Sequence, residues 1–315
     1  MNVDLAPARV PGFRFAGVSA GLKTAIGAKD LGLIVADHPC PATSVNSANQ
    51  VKAASVYVTI ERLRAGKLQA VVANSGCANS FTGKPGLRLA KDSCSFVARE
   101  LGIAPALVVP SSTGVIGHLY DFEKFSAGAR AAAAALSPDA MEDFARAIMT
   151  TDTRPKMAST RLKLGGKEVT MAGVAKGVGM ISPHMATMLA YVVTDAAAGA
   201  PQLRSALKAA LPSSFNAITV DGDMSTNDSV IVMANGLAGN AAMKGRDVAA
   251  FNEAVEGVCA ALATELVRDG EGATKLVTVR VLGAKSPEDA EQTEDHCDPP
   301  SDHFGSGKFH VYSPC

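Results

Sequence analysis

The sequence lacks an excess of either charge, because 30 basic and 30 acidic side chains cancel to a formal net charge of zero. No stretch concentrates lysine or arginine together with aromatic residues. Without a positive surface field, binding to nucleic acid or to an anionic membrane is disfavoured. A small-molecule ligand is therefore the default expectation.

Long apolar runs are also lacking. No segment approaches the roughly 18 uninterrupted apolar residues that a membrane helix needs, and the first residues carry Asp4 without the apolar core of a signal peptide. With 47% hydrophobic and 19% charged residues, the 315-residue chain has ample material for a buried core. We expect a soluble, cytoplasmic protein.

Paired metal-ligand spacings are missing as well. The six cysteines show no C-x-x-C pair, so neither a zinc site nor a disulfide framework is indicated. We expect reduced, mostly buried thiols, with Cys77 as a small buried side chain and not a nucleophile. The stretch from Asp221 begins like a calcium loop, but Thr226 and Val232 occupy its sixth and twelfth positions. No metal is predicted.

What the sequence does contain is an alternation of helix and strand patterns. Gly165-Gly166 predicts a two-residue hairpin turn, and Ser137-Pro138 predicts the start of a helix. The predicted strands are 68–76, 106–109, 188–194, 215–223 and 275–282, and the predicted helices are 86–101, 122–136, 201–211 and 247–267. Because a hairpin interrupts the alternation, an α+β fold, a layered αβ sandwich, fits better than a doubly wound sheet.

One stretch, KGVGMISPHMATMLAYVVTDA at 176–196, places Ala186-Thr187 between a glycine-containing turn and an apolar strand. A threonine at the start of a strand is usually a packing residue. Alternatively, cleavage before Thr187 would free an α-amine with an unperturbed pKa of about 8. That amine can serve as the base for the hydroxyl of the same residue. Gly177 and Gly179 permit the strained backbone that such cleavage requires.

The same stretch resembles the processing site of the ornithine acetyltransferase family, also called the glutamate N-acetyltransferase family of arginine biosynthesis. Further segments resemble that family and occur in its order, from about residue 10 to about residue 284. They are GVSAGLK at 17–23, NSGCANSFTGKPG at 74–86, SSTGVIG at 111–117, TTDTRPK at 150–156, TVDGDMSTND at 219–228 and VRDGEGATK at 267–275.

The resemblance implies the layered αβ fold of that family and a chain that cleaves itself between Ala186 and Thr187. It implies an α chain of residues 1–186, a β chain from 187, and a heterotetramer of two α and two β chains. Thr187 would take an acetyl group from N2-acetylornithine and pass it to L-glutamate through an acetyl-threonine. No bound cofactor is implied, and acetyl-CoA as an additional acetyl donor is left open.

The resemblance also implies residue roles. Thr113 and Gly114 would form the oxyanion hole, and Thr153, Lys176 and Glu271 would contact the substrate together with Thr187. Each has a plainer interpretation, because the SSTGVIG loop could be an ordinary strand-to-helix turn and a lysine or glutamate in a turn usually faces water. Two other functions stay open: a related self-processing amidohydrolase or aminopeptidase, and an inactive truncated homologue.

The resemblance ends at residue 284, so that 187–284 would be an incomplete β chain. The family continues to an asparagine and a serine or threonine of the substrate site, which have no recognisable counterpart here. Residues 285–315 show no sustained periodicity and are predicted to be a divergent, disordered tail. A frameshifted or truncated reading of the gene is the hypothesis for this departure.

Overall fold

A computed structural model describes residues 2–182, 188–279 and the backbone of 307–311. The strands are β1 (Phe13–Val18), β2 (Leu31–Asn46), β3 (Lys67–Asn74), β4 (Val108–Ser112), β5 (Lys156–Leu164), β6 (Lys167–Lys176), β7 (Leu189–Thr194), β8 (Ser229–Ala234), β9 (Lys275–Val279) and β10 (Gly307–Val311). The α-helices are α1 (Ala54–Leu63), α2 (Gly83–Leu101), α3 (Phe122–Ala134), α4 (Met141–Ile148), α5 (Ala200–Ala210) and α6 (Arg246–Arg268).

The long strand β2 connects two halves of the sheet. The strands run in the order β4-β3-β2-β8-β7-β6-β5, and β1 pairs with β2 outside this path. The register of β2 shifts between Val35 and Cys40, and its last part, Ala42 to Asn46, pairs with β8. A bulge bends a strand locally, so β2 leaves one half of the sheet and enters the other.

The core lies in three apolar layers, which confirms the layered αβ sandwich. One cluster lies between α5, α6 and the strands β5 to β8. A second fills the space between the two halves of the sheet and includes side chains of α4, and a third packs α2 and α3 against β2 to β4. Alternate residues of β7 face opposite layers, with Tyr191 in the second cluster and Val192 in the first, as the period of a strand buried on both faces requires.

Most of the predicted elements are present. Gly165 and Gly166 have φ values of +55° and +79° and close the β5–β6 hairpin, as their sequence predicts. The structure confirms the helices predicted at 86–101, 122–136, 201–211 and 247–267 as α2, α3, α5 and α6. The four cysteines in the described part of the chain are buried and free. Burial raises the pKa of Cys40, Cys94 and Cys259 to about 12.

Other local predictions are wrong. The strand predicted at 106–109 continues through Pro110, which is tolerated because β4 is an edge strand. Ser137 does not cap a helix, since α4 begins at Met141 and Ser137 forms a bridge with Phe15. Residues 215–223 contain a short 3-10 helix and no strand, because the amides of Val220 and Gly222 bind the carbonyl of Ile181.

Only a short part of the predicted tail is described. Within the predicted tail only 307–311 are described, and they form β10, parallel to β9, where the sequence indicates no strand. The rest of the tail prediction lies outside the described residues.

Among the helices in the described ranges, none has the length and apolar character to cross a bilayer.

Candidate active site

A cavity of about 330 Å³ opens where β4 and β6 end. Four of the predicted site residues line it: Thr113, Gly114, Lys176 and Glu271. Its wall also contains polar residues that sequence reasoning did not select: Thr150, Thr151, Asp221, Asp223, Ser225 and Asn227. The fold therefore collects segments from five distant parts of the chain around one small polar cavity.

The Thr113-Gly114 segment follows the last residue of β4. Gly114 has a φ of +124°, and a Cβ added there would lie 2.4 Å from the carbonyl carbon of Gly76. Only glycine fits this conformation and this contact. The amide of Thr113 donates to the carbonyl of Asn74 at 3.0 Å, whereas no acceptor within the described residues takes the amide hydrogen of Gly114. Gly114 thus lines the cavity with an amide that has no acceptor among the described residues.

Lys176 ends β6 and is only 3% exposed. Its Nζ donates to Thr150 Oγ1 at 2.8 Å and to Thr113 Oγ1 at 3.2 Å, and it lies 4.0 Å from Asp152 Oδ2. Burial lowers the pKa of Lys176, and the nearby carboxylate of Asp152 partly offsets this. Because Thr113 accepts a hydrogen bond from the lysine, its own hydroxyl hydrogen is free to point into the cavity.

Asp152 connects parts of the chain beside the cavity through hydrogen bonds. The sequence analysis does not select it as a site residue. Its Oδ2 accepts from the Thr150 amide at 3.0 Å, and its Oδ1 accepts from the Gly177 amide at 2.8 Å and from Lys156 Nζ at 2.7 Å. Burial alone would raise the pKa of Asp152, but Lys176 and Lys156 outweigh it and hold the pKa below its usual value. The TTDTRPK segment contained this residue, yet its partners are fixed only by the tertiary structure.

The remaining two predicted substrate contacts differ in position. Glu271 lies on the cavity wall, where its Oε1 accepts from the Thr151 hydroxyl at 2.6 Å and its amide donates to the Val178 carbonyl at 2.6 Å. Thr153 is not among the residues that line the cavity. Its hydroxyl and its amide both bind the carboxylate of Asp269, so its role as a substrate contact stays a prediction.

Ala186 and Thr187 lie outside the described residues, but both flanks of that stretch are held by carboxylates. Asp221 accepts from the amides of Met180 at 2.5 Å and Ile181 at 2.9 Å, which stabilises the positive φ of Met180 (+56°). Asp228 accepts from the amide of Met188 at 2.8 Å. Two aspartates of the TVDGDMSTND segment, Asp221 and Asp228, therefore bind the chain before and after the predicted cleavage site.

Gly177 and Gly179 serve this turn in different ways. Gly177 has a φ of +146°, which favours glycine. At Gly179 a Cβ would lie 3.2 Å from the carboxylate of Glu271. The two glycines therefore allow a tight turn that brings Glu271 against the chain leading to the cleavage site.

Comparison with known proteins places the chain in one family. A family model described as "ArgJ family" matches residues 14–297. The "Arginine biosynthesis bifunctional protein ArgJ" of Symbiobacterium thermophilum is 53% identical over 282 residues, which cover 89% of this chain and 70% of that protein.

Among the solved structures that are similar to the chain are two at more than 30% identity. The arginine biosynthesis bifunctional protein of Bacillus halodurans superposes with a TM-score of 0.54 at 37% identity, covering 59% of this chain and 98% of that one. An ornithine acetyltransferase of Mycobacterium tuberculosis, solved in complex with ornithine, superposes with a TM-score of 0.52 at 34% identity and covers 59% of this chain and 100% of the other.

Proposed function

The chain belongs to the ArgJ family, and on that premise we propose that it transfers an acetyl group from N2-acetylornithine to L-glutamate. It is an acetyltransferase of arginine biosynthesis. The identity of donor and acceptor is the proposed part. Ornithine occupies the similar structure from Mycobacterium tuberculosis, which supports an ornithine derivative as the donor.

In the proposed mechanism, cleavage of the Ala186–Thr187 bond creates an N-terminal threonine. Its α-amine accepts the proton of its own hydroxyl, and the hydroxyl oxygen attacks the acetyl carbonyl of the donor. Ornithine leaves, acetyl-Thr187 forms, and the amine of glutamate then takes the acetyl group. Each half-reaction passes through a tetrahedral oxyanion, and the enzyme's rate depends on stabilising it.

The observation that carries this proposal is the arrangement of donors in the cavity. The free amide of Gly114 and the hydroxyl of Thr113 are adjacent, and the ammonium of Lys176 lies 3.2 Å from that hydroxyl. Preorganised donors stabilise developing negative charge without reorganising. Lys176 also suits the carboxylate of an amino-acid substrate, and Glu271 suits its ammonium.

The first experiment measures the mass of the intact, purified protein. We expect two fragments, 1–186 and 187–315, and a gain of one acetyl group on the second fragment after N2-acetylornithine is added. The Thr187→Ala variant should remain a single chain. An unsplit wild-type chain that nevertheless transfers acetyl groups would refute the threonine mechanism.

Transfer and hydrolysis are separated by omitting the acceptor. A transferase should release ornithine continuously only when glutamate is present, whereas an amidohydrolase should release acetate at the same rate without it. Acetyl-CoA with glutamate alone tests the second donor. Sedimentation analysis of the processed protein tests the proposed assembly of two α and two β chains.

A further inference from the structure

A buried carboxylate that the proposed mechanism does not use lies beside Lys176. The side chain of Asp152 is 0% exposed, and its Oδ2 lies 4.0 Å from Lys176 Nζ. Asp152 also accepts from the Thr150 amide at 3.0 Å and from the Gly177 amide at 2.8 Å. The hydroxyl of Thr150 accepts from Lys176 at 2.8 Å, and Gly177 directly follows the lysine. Asp152 therefore acts on Lys176 through its charge, through the residue that accepts from the lysine and through the residue that follows it.

The charge of Asp152 is itself stabilised by a second lysine. Lys156 Nζ donates to Asp152 Oδ1 at 2.7 Å and to Asp269 Oδ2 at 2.6 Å. Burial opposes ionisation of Asp152, but Lys176 and Lys156 hold its pKa below its usual value. The pKa of Asp269 is lowered as well, chiefly by its hydrogen bond from Lys156 against the opposing effect of burial. The two aspartates and the two lysines thus balance in charge, as buried ionic groups require.

The charge state of Lys176 depends on all the titratable groups around it. Those that act on it are Asp152 from the segment after α4, Lys156 from β5, Asp228 from the turn before β8 and Lys23 from the β1–β2 loop. Burial lowers the pKa of Lys176 most, and the two other lysines lower it further, whereas the two aspartates raise it. Burial raises the pKa of Asp228 well above its usual value, which favours its neutral form. Asp152 is therefore the main anion that opposes the loss of the lysine's proton.

We propose that Asp152 is a positioning residue that holds the ammonium group of Lys176 at the cavity for the carboxylate of the amino-acid substrate, an inference that rests on the proposed function. Lys176 lines the cavity, whereas Asp152 is not among the residues that line it. The carboxylates of Asp152 and of the substrate therefore do not compete for one place. A buried lysine without a compensating anion loses its proton more easily, and a neutral amine would lack the charge that strengthens a hydrogen bond to a carboxylate.

The first test measures the protonation of Lys176 in the folded protein and does not depend on activity. The ¹³Cε resonance of Lys176 is followed against pH in protein labelled with ¹³C-lysine, and it is assigned by its loss in Lys176→Met. We expect Lys176 to be charged at neutral pH in the wild type. A neutral Lys176 under these conditions overturns the proposal, even if no Asp152 variant folds.

Replacing Asp152 by asparagine removes the charge and keeps the shape of the side chain. One oxygen remains to accept from the Gly177 amide, and Lys156 keeps its pair with Asp269. Because a nearby opposite charge shifts a pKa by about 1–3 units, the titration midpoint of Lys176 should move to lower pH by that amount. Asp152→Glu restores the charge and should have a higher midpoint than Asp152→Asn. A midpoint of Lys176 that is the same in Asp152→Asn and the wild type refutes the assignment.

A matched control is Asp195→Asn. Asp195 is also buried, at 4% exposure, and accepts from the Thr170 amide at 2.7 Å. It directly follows the last residue of β7, whereas Lys176 pairs with the first residue of that strand. The control variant should therefore leave the midpoint of Lys176 unchanged. If it moves the midpoint as far as Asp152→Asn does, the shift comes from a general effect on the fold and the assignment to Asp152 is wrong.

The second test measures acetyl transfer against pH. Lys176 must be protonated to bind the carboxylate, so kcat/KM for N2-acetylornithine should fall as the pH rises through the pKa of Lys176. In Asp152→Asn this fall should begin at lower pH, and the charged fraction then decreases about tenfold for each further pH unit. The KM should carry most of the loss, because the contact is made in the bound substrate and in the transition state alike. A fall at the same pH in both proteins, or a loss confined to kcat, contradicts the inference.

The outcome for Asp152 is distinct from the outcome for the proposed function. A folded wild-type chain that transfers no acetyl group refutes the proposed function, and the titration of Lys176 still decides whether Asp152 keeps the lysine charged. A wild-type chain that transfers acetyl groups, together with an unchanged titration of Lys176 in Asp152→Asn, refutes only the positioning role.

Discussion

Replacing Thr113 by alanine tests the proposed oxyanion hole directly. The substitution removes one hydroxyl donor beside the free amide of Gly114 and leaves that amide in place. It also removes an acceptor of Lys176, whose Nζ lies 3.2 Å from Thr113 Oγ1 but keeps its bond to Thr150 at 2.8 Å. The lysine therefore stays anchored, and the main loss is one donor to the tetrahedral oxygen.

The expected size of the effect follows from the loss of one hydrogen-bond donor to the oxyanion. One donor to an oxyanion in a preorganised site is worth about 3 kcal/mol, which corresponds to roughly a 150-fold decrease in kcat. The KM for N2-acetylornithine should change little, since the donor acts mainly in the transition state. Thr113 is 7% exposed, and truncation of one methyl and one hydroxyl should lower the free energy of unfolding by only about 1 kcal/mol.

The assay compares steady-state release of ornithine with the rate of acetylation of Thr187 in a single turnover, measured by mass. Both should fall together, because each involves an oxyanion. Thr113→Ser keeps the hydroxyl and should recover most of the activity. If Thr113→Ala retains a kcat within threefold of the wild type, or if Thr113→Ser loses as much as the alanine variant, the hydroxyl is not the donor.

Two further predictions concern stability. Gly114→Ala should lower the melting temperature and the yield of folded protein, because the new Cβ would lie 2.4 Å from the carbonyl carbon of Gly76. The positive φ at this position adds a backbone strain of about 1–3 kcal/mol for a residue other than glycine. Melting within one or two degrees of the wild type would contradict this prediction. Lys156→Met should lower the free energy of unfolding in urea by about 3–5 kcal/mol, since it removes the buried ammonium that pairs with both Asp152 and Asp269 and leaves Asp152 only the more distant Lys176. Arg146→Met, which breaks an exposed pair, should cost less than about 1 kcal/mol, and equal costs for the two would refute the argument.

The sequence predicts helices and hairpins well in this protein because their signals are local. The α6 helix repeats apolar residues at helical spacing within one segment, and the Gly165-Gly166 turn needs only two residues with positive φ. The strand prediction at 215–223 fails for the opposite reason. The backbone amides of Val220, Asp221 and Gly222 donate to the carbonyl of Ile181, from a different part of the chain, and no local pattern records that contact.

In the candidate site, too, some features are predicted by local sequence and others depend on contacts between distant parts of the chain. The resemblance to a known family supplied Thr113, Gly114, Lys176 and Glu271, and the tertiary structure brings all four to one cavity. Thr153 lies outside the cavity wall, bound to Asp269. Neither Asp152 nor Asp228 was selected, although both stand in segments that matched the family, because an aspartate in a turn looks the same in sequence whether it faces water or holds a buried amide.

The sequence by itself determined the family, the αβ class and the threonine at which the chain is predicted to cleave. Each of these can be recognised from short segments of contiguous residues. Only the tertiary structure decided which charged groups are buried together and which remain without partners. Lys176 meets Thr113 across 63 residues of chain, and Asp228 meets Met188 across 40. The energies of such pairs depend on burial and distance, and those quantities exist only once the strands have paired.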